Sequence, residues 1–124
     1  MRRDPLLVAE MIEAAKQAMT LVADRTAEQL QADRVRLEAL LWNFTVLGEA
    51  AAAVSGETKQ RFPDVPWRNP TRLRNRVVHA YWSVDYRILH STAVDQLAGF
   101  VQQLRAVLDT LDTDEPDDRG STPR

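Results

Sequence analysis

Asp33-Arg34-Val35-Arg36-Leu37-Glu38-Ala39-Leu40-Leu41-Trp42-Asn43-Phe44-Thr45-Val46-Leu47-Gly48-Glu49-Ala50-Ala51-Ala52-Ala53-Val54 decides the fold class. Leu37, Leu40, Leu41, Phe44, Leu47, Ala51 and Val54 recur at steps of three and four, the mark of a long helix with one apolar side. That stripe is wide enough to pack on more than one neighbour. Ala50 to Ala53 add a run of small side chains that lets another helix come close, from the same chain or from a second copy.

Working towards the N-terminus, Val8, Met11, Ile12, Ala15, Met19 and Val22 form a second helical face, opened by Asp4-Pro5. Between the two, Thr26-Ala27-Glu28-Gln29 reads as a capping box that starts a short helix ending near Ala32. Towards the C-terminus, Ser55-Gly56 weakens the long helix before Glu57 to Arg61 prolong it. Phe62 to Pro66 form a rigid connection with Trp67 as a buried anchor. Asn69-Pro70 reads as a capping residue and the first position of a further helix. After it, Ser83 or Asp85 caps a last long helix carrying Ile88, Leu89, Thr92, Val94, Leu97, Val101, Leu104 and Leu108 on its apolar side. No segment alternates with period two. The expected architecture is all-α: an up-and-down bundle of four main helices plus one short helix over residues 1–111, followed by a disordered acidic tail, residues 112–124.

At 124 residues and 44% hydrophobic content the chain can bury a single core. The absence of cysteine excludes disulfides, thiolate metal sites and a thiol nucleophile. No apolar run approaches the roughly 20 residues that span a bilayer, and Met1-Arg2-Arg3-Asp4 leads into a helix with acids in it, so the expected location is cytoplasmic. The formal charge is −2, but it is unevenly spread. Residues 109–124 hold six acids and two bases, net −4, whereas residues 59–87 hold seven bases against Asp64 and Asp85, net +5. A local basic field survives inside an acidic total.

The centre of that field is Arg72-Leu73-Arg74-Asn75-Arg76-Val77-Val78-His79-Ala80-Tyr81, with three arginines, an asparagine, a histidine and a tyrosine and no acid. Read as a helix, it puts His79 near the C-terminal end, where the macrodipole favours the imidazolium. Asn75 (i, i+4) and Arg76 (i, i+3) share the face of His79, whereas Arg74 (i, i+5) lies ~140° round the helix. Arginines at i, i+2 and i+4 cannot all sit on one solvated face, so at least one must point to the bundle or to a partner.

Arg74-Asn75-Arg76-Val77-Val78-His79-Ala80-Tyr81 matches an Arg, four residues, His, any residue, Tyr signature, and the chain resembles the HepT-like toxins of the HEPN ribonuclease superfamily. Met1 to Asp4, Asn43 to Ala50, Val65-Pro66-Trp67-Arg68 and Val84-Asp85 carry the resemblance over roughly residues 1 to 111. It implies a metal-independent endoribonuclease, the toxin of a type VII-like toxin–antitoxin pair, acting as a homodimer whose paired motifs line one cleft. It further implies a nucleotidyltransferase antitoxin that adenylylates Tyr81. The apolar stretch usual before the motif is here Asn69-Pro70-Thr71, and the acidic tail is an addition.

Residue chemistry agrees with that class. The two histidines are eleven apart with only Asp85 nearby, a poor start for a metal site, and neither a phosphate loop nor a serine elbow is present. What remains is cleavage of RNA by its own 2′-hydroxyl, which needs a proton-transfer group near neutral pH and a fixed cation: His79, and Arg74 or Arg76. Asn75 orients His79, and Arg72 and Arg76 hold RNA. Trp82 and Tyr86 stack on bases or close the core, and His90 is structural. No cofactor is called for. The alternative is a non-catalytic binding subunit for a nucleotide or a partner protein.

Overall fold

The structure is a computed structural model that describes residues 3–79 and 85–114, with Val78 and His79 described by their backbone alone. It is an all-α bundle, as the periodicity and the resemblance both imply. Its helices are α1 (Arg3–Val22), α2 (Ala27–Ala32), α3 (Arg34–Ala53), α4 (Gly56–Arg61), α5 (Arg68–His79), α6 (Tyr86–Asp95) and α7 (Leu97–Asp114).

The local signals explain most of the boundaries. Thr26 and Gln29 close a reciprocal capping box, the Gln29 amide donating to Thr26 Oγ1 at 3.0 Å and the Thr26 amide to Gln29 Oε1 at 2.9 Å. Asp33 ends α2 and starts α3, its Oδ1 accepting from the Arg36 amide at 3.1 Å. Asp85, not Ser83, is the described cap of α6, accepting from the Arg87 amide at 2.9 Å.

Three joints differ from the sequence expectation. Helix α3 is not prolonged through Ser55: Val54 turns extended, and the Ser55 hydroxyl caps a separate α4 by accepting from the Thr58 amide at 3.2 Å. The last helix breaks at Gln96, giving α6 and α7, and Ile88 and Val94 of its expected apolar side are exposed. Helix α5 starts at Arg68, two residues early, because the Asn69 amide donates to the Pro66 carbonyl at 3.1 Å. Asn69 is therefore inside the helix, and Pro70 occupies its third position, where a missing N–H costs nothing because the first turn has no intrahelical acceptors. Helix α7 continues to Asp114, whose carboxylate meets Arg61 at 2.8 Å, so residues 112–114 are helical; the remainder of the expected tail lies outside the described residues.

Helix α1 lies between α3 and α7, and α5 packs on the other side of α3. The Val8, Met11, Ile12 and Ala15 stripe meets Leu40, Phe44, Leu47, Leu104 and Val107 in one apolar core. Trp67 is buried as expected, its indole N–H donating to the Phe62 carbonyl at 3.0 Å. His90 bonds through Nε2 to the Arg25 carbonyl at 2.6 Å, tying α6 to the α1–α2 turn, which is a structural role.

The first turn of α1 is tied down by a buried acid. Asp4 is 1% exposed and accepts from the Ser55 amide (3.0 Å), the Ser55 hydroxyl (2.6 Å) and the Thr58 hydroxyl (2.5 Å). Burial alone pushes its carboxyl up, but the bonds from Ser55 and Thr58 outweigh it and hold Asp4 below the usual value of 3.8. A depressed carboxyl contributes stability above the unfolded-chain value and loses it as pH falls through the folded one. Asp4→Ala should therefore lower unfolding free energy at pH 7 by roughly 2 kcal/mol. The gap to wild type should narrow as the pH is taken below 3.8, read by urea melts; a gap independent of pH contradicts the assignment.

Candidate active site on the motif helix

The position of α5 is set by a glycine. Gly48 on α3 faces it so closely that a Cβ there would stand 2.2 Å from Arg74 Cβ and 2.6 Å from the Pro70 carbonyl oxygen. Neither neighbour is a flexible tip, so only glycine permits this approach. The Thr71 hydroxyl donates to the Gly48 carbonyl at 3.1 Å and fixes the register. The alanine run contributes less than expected, since Ala50 and Ala51 are buried but Ala52 and Ala53 face solvent.

This contact brings Arg74 beside Glu49, one residue along α3. The Arg74 Nη2 group is hydrogen-bonded and ion-paired to Glu49 Oε2, and Nη1 donates to Asn75 Oδ1 at 2.8 Å. Arg74 Nε is buried and makes no hydrogen bond to a described residue. Arg74 is thus the arginine that points to the bundle. Glu49 was not singled out from sequence as a site residue. Its signal lies in the packing, because residues 25 apart pair only once Gly48 has drawn the helices together.

Arg72 and Arg76 turn the other way. Both are exposed, and neither forms an ion pair with a described residue. They border a groove of about 450 Å³ between α3, α5, α6 and α7. Its floor is Phe44, Leu47, Leu73, Leu97 and Phe100, and Asn69, Thr92 and Gln96 stand along its sides. No carboxylate of the described residues lines it.

Four expected site residues remain: Asn75, His79, Tyr81 and Trp82. His79 is the last residue of α5, as its place in the sequence implies, and in the helical register it falls one turn beyond Arg76, on the groove side. Asn75 is exposed, and its carbonyl oxygen is engaged by Arg74. Tyr81 and Trp82 lie outside the described residues. Tyr86 is half-buried with the Arg87 guanidinium 5.0 Å from its ring centroid. No group of three or more His, Asp or Glu side chains converges among the described residues. No helix among them is long and apolar enough to cross a membrane.

One face of the short helix thus holds an arginine braced by an acid, and another holds two arginines that form no ion pair with a described residue, an arrangement chemically suited to an anion. Comparison with known proteins agrees. Residues 11–107 match the ribonuclease HepT-like family model, and the chain belongs to that family of ribonucleases. It is 28% identical to the probable ribonuclease HepT of Thermococcus cleftensis over 77% of this chain and 94% of that protein. A candidate RNase of Methanocaldococcus jannaschii is 20% identical over 86% of this chain and 88% of that one. No solved structure matches the chain.

The close approach at Gly48 is open to a direct test. Gly48→Ala should lower stability by roughly 1–3 kcal/mol through overpacking, although alanine is the better helix former. Gly99→Ala, where a Cβ meets nothing within 4 Å, should hold or raise it. Thermal melts showing both variants equally stable would refute the contact.

Proposed function

We propose that this ribonuclease cuts RNA internally and without a metal ion, as the toxin of a toxin–antitoxin pair. In this reading the 2′-hydroxyl of the substrate gives up its proton and attacks the adjacent phosphorus. The bond from phosphorus to the 5′-oxygen breaks, and that oxygen takes a proton. The products are a 2′,3′-cyclic phosphate and a 5′-hydroxyl end. His79 is the proton-transfer group, and Arg74 meets the charge that builds on the pentacoordinate phosphorus. Asn75, bonded to Arg74, links the two as a positioning residue. Arg72 and Arg76 hold the backbone of the RNA.

The observation that carries this reading is the pairing of Arg74 with Glu49. An arginine braced on a second helix is preorganised, and a preorganised cation stabilises charge that appears only in the transition state without reorganising at that moment. The ~140° between Arg74 and position 79 supports a homodimer, in which two motif helices face each other and the residues of both complete each cleft. Tyr81, two residues beyond His79, is where a nucleotidyltransferase partner would add an adenylyl group. Phosphate charge there repels RNA and blocks the cleft.

His79→Ala and Arg74→Ala should each lower the cleavage rate at least about 10²-fold while the helical circular dichroism persists. Cleavage by the wild type should continue in excess EDTA. Undiminished cutting by the His79 variant, or loss of cutting in EDTA, contradicts the proposal.

Regulation is tested separately by mass. Incubation with the partner nucleotidyltransferase, ATP and Mg²⁺ should add an adenylyl group to the wild type and none to Tyr81→Phe. Modification mapped to Tyr86 or to a serine instead refutes the role of Tyr81.

A further inference from the structure

We infer that the groove between α3, α5, α6 and α7 is a nucleobase pocket, which makes the substrate single-stranded RNA with an unstacked base seated beside the motif helix. The inference rests on the ribonuclease reading and names the form of its substrate.

Charge is the first argument. Of the three motif arginines, Arg74 is ion-paired to Glu49, whereas Arg72 and Arg76, which border the groove, form no ion pair with a described residue. These are one turn apart on one side of the helix, about 6 Å along its axis. That is the scale of successive phosphates in a single strand. With no described carboxylate in the lining, the α5 edge of the groove, where Arg72 and Arg76 stand, is complementary to an anion.

Shape and chemistry are the second. At about 450 Å³ the groove falls within the roughly 300–1,000 Å³ of small-molecule sites. Its floor is apolar, with Phe100 and Leu73 among its side chains, while Asn69 and Gln96 supply amide donors and acceptors at the border. An apolar floor with amides at its edge suits a base, whose faces are apolar and whose edges are polar. A base paired in a duplex presents neither face, so the pocket selects unpaired RNA. The register places residue 79 one turn past Arg76 on this same side, which puts the seated nucleotide next to the proton-transfer position.

Gly99 offers a clean test, because it lines the groove and a Cβ added there meets nothing within 4 Å. Gly99→Leu fills the pocket without entering the core. Gly56→Leu, at an equally open glycine on α4, is the control. The probe is a labelled 2′-O-methyl oligoribonucleotide, which cannot be cut, so fluorescence anisotropy reads binding alone; the duplex of the same sequence is run beside it. The full chain is used throughout, and thermal melts confirm that each variant is folded.

Wild type and Gly56→Leu should bind the single strand at least about tenfold more tightly than the duplex, and Gly99→Leu should lose at least about tenfold in single-strand affinity. Arg72→Gln with Arg76→Gln, which leaves the apolar floor intact, should lose as much. Single-strand binding by Gly99→Leu within twofold of wild type overturns the pocket, as does equal wild-type affinity for the duplex. A fall in light-scattering mass on Gly99→Leu also overturns it, because the groove would then belong to a second copy. Cleavage of unmodified RNA separates the two readings. Wild type that cuts while Gly99→Leu binds normally removes the pocket alone; wild type that binds through the groove and never cuts removes the nuclease reading alone.

Discussion

The approach of α5 to α3 at Gly48 is the constraint on which the site depends. A side chain of any size at that position would stand inside Arg74 and the Pro70 carbonyl, and α5 would have to swing outward. With α5 displaced, Thr71 would lose the Gly48 carbonyl, Arg74 would leave Glu49, and the α5 side of the groove would open. One missing Cβ therefore fixes the height of the motif helix, the bracing of its central arginine and the width of the space beside it. The apolar stripe of α3 supports this from below. Phe44 and Leu47 belong both to the main core and to the floor of the groove, so the helix that stabilises the bundle also shapes the site.

The consequence is a division among three arginines that look alike in sequence. Arg74 spends its hydrogen bonds inside the protein, on Glu49 and Asn75, and is held still. Its ion pair is more than half exposed on the Glu49 side, at 56%, so it adds at most about 1 kcal/mol to stability. Its value is positional. Arg72 and Arg76 are unpaired among the described residues and supply the field that draws in a polyanion. In the proposed reading, binding and transition-state stabilisation fall to different faces of one twelve-residue helix. A phosphate reaching Arg74 must share it with a carboxylate, an exchange that becomes favourable as negative charge grows on phosphorus.

Much of this was legible in the chain itself. The stripes on α1 and α3 read as helices because their core residues recur at steps of three and four, although Leu6, Val35 and Trp42 face solvent; the box at Thr26 names its own helix start, and Asp85 was one of two candidate caps with Ser83. The spacing argument that Arg74 cannot share the face of His79 also anticipated the division of the arginines. What stayed hidden was set by tertiary contact. The break at Gln96 carries no glycine or proline to announce it, and the early start of α5 depends on a bond from Asn69 to Pro66 that competes with the capping pattern of Asn69-Pro70. Ser55 was ambiguous until Asp4, 51 residues away, bound its hydroxyl and amide. Glu49 was invisible as a site residue for the same reason: its role exists only across the α3–α5 contact.

The division of the arginines is tested most directly by the salt dependence of RNA binding. For a single-stranded, uncleavable RNA, the slope of log affinity against log salt falls by about 0.7 for each phosphate contact removed. Arg72→Gln and Arg76→Gln should each flatten the slope by about that amount. Replacing the braced pair together, Glu49→Gln with Arg74→Gln, removes no net charge and should leave the slope unchanged. A slope flattened by about 0.7 in the double replacement, with the Arg72 and Arg76 variants behaving as wild type, would contradict the account.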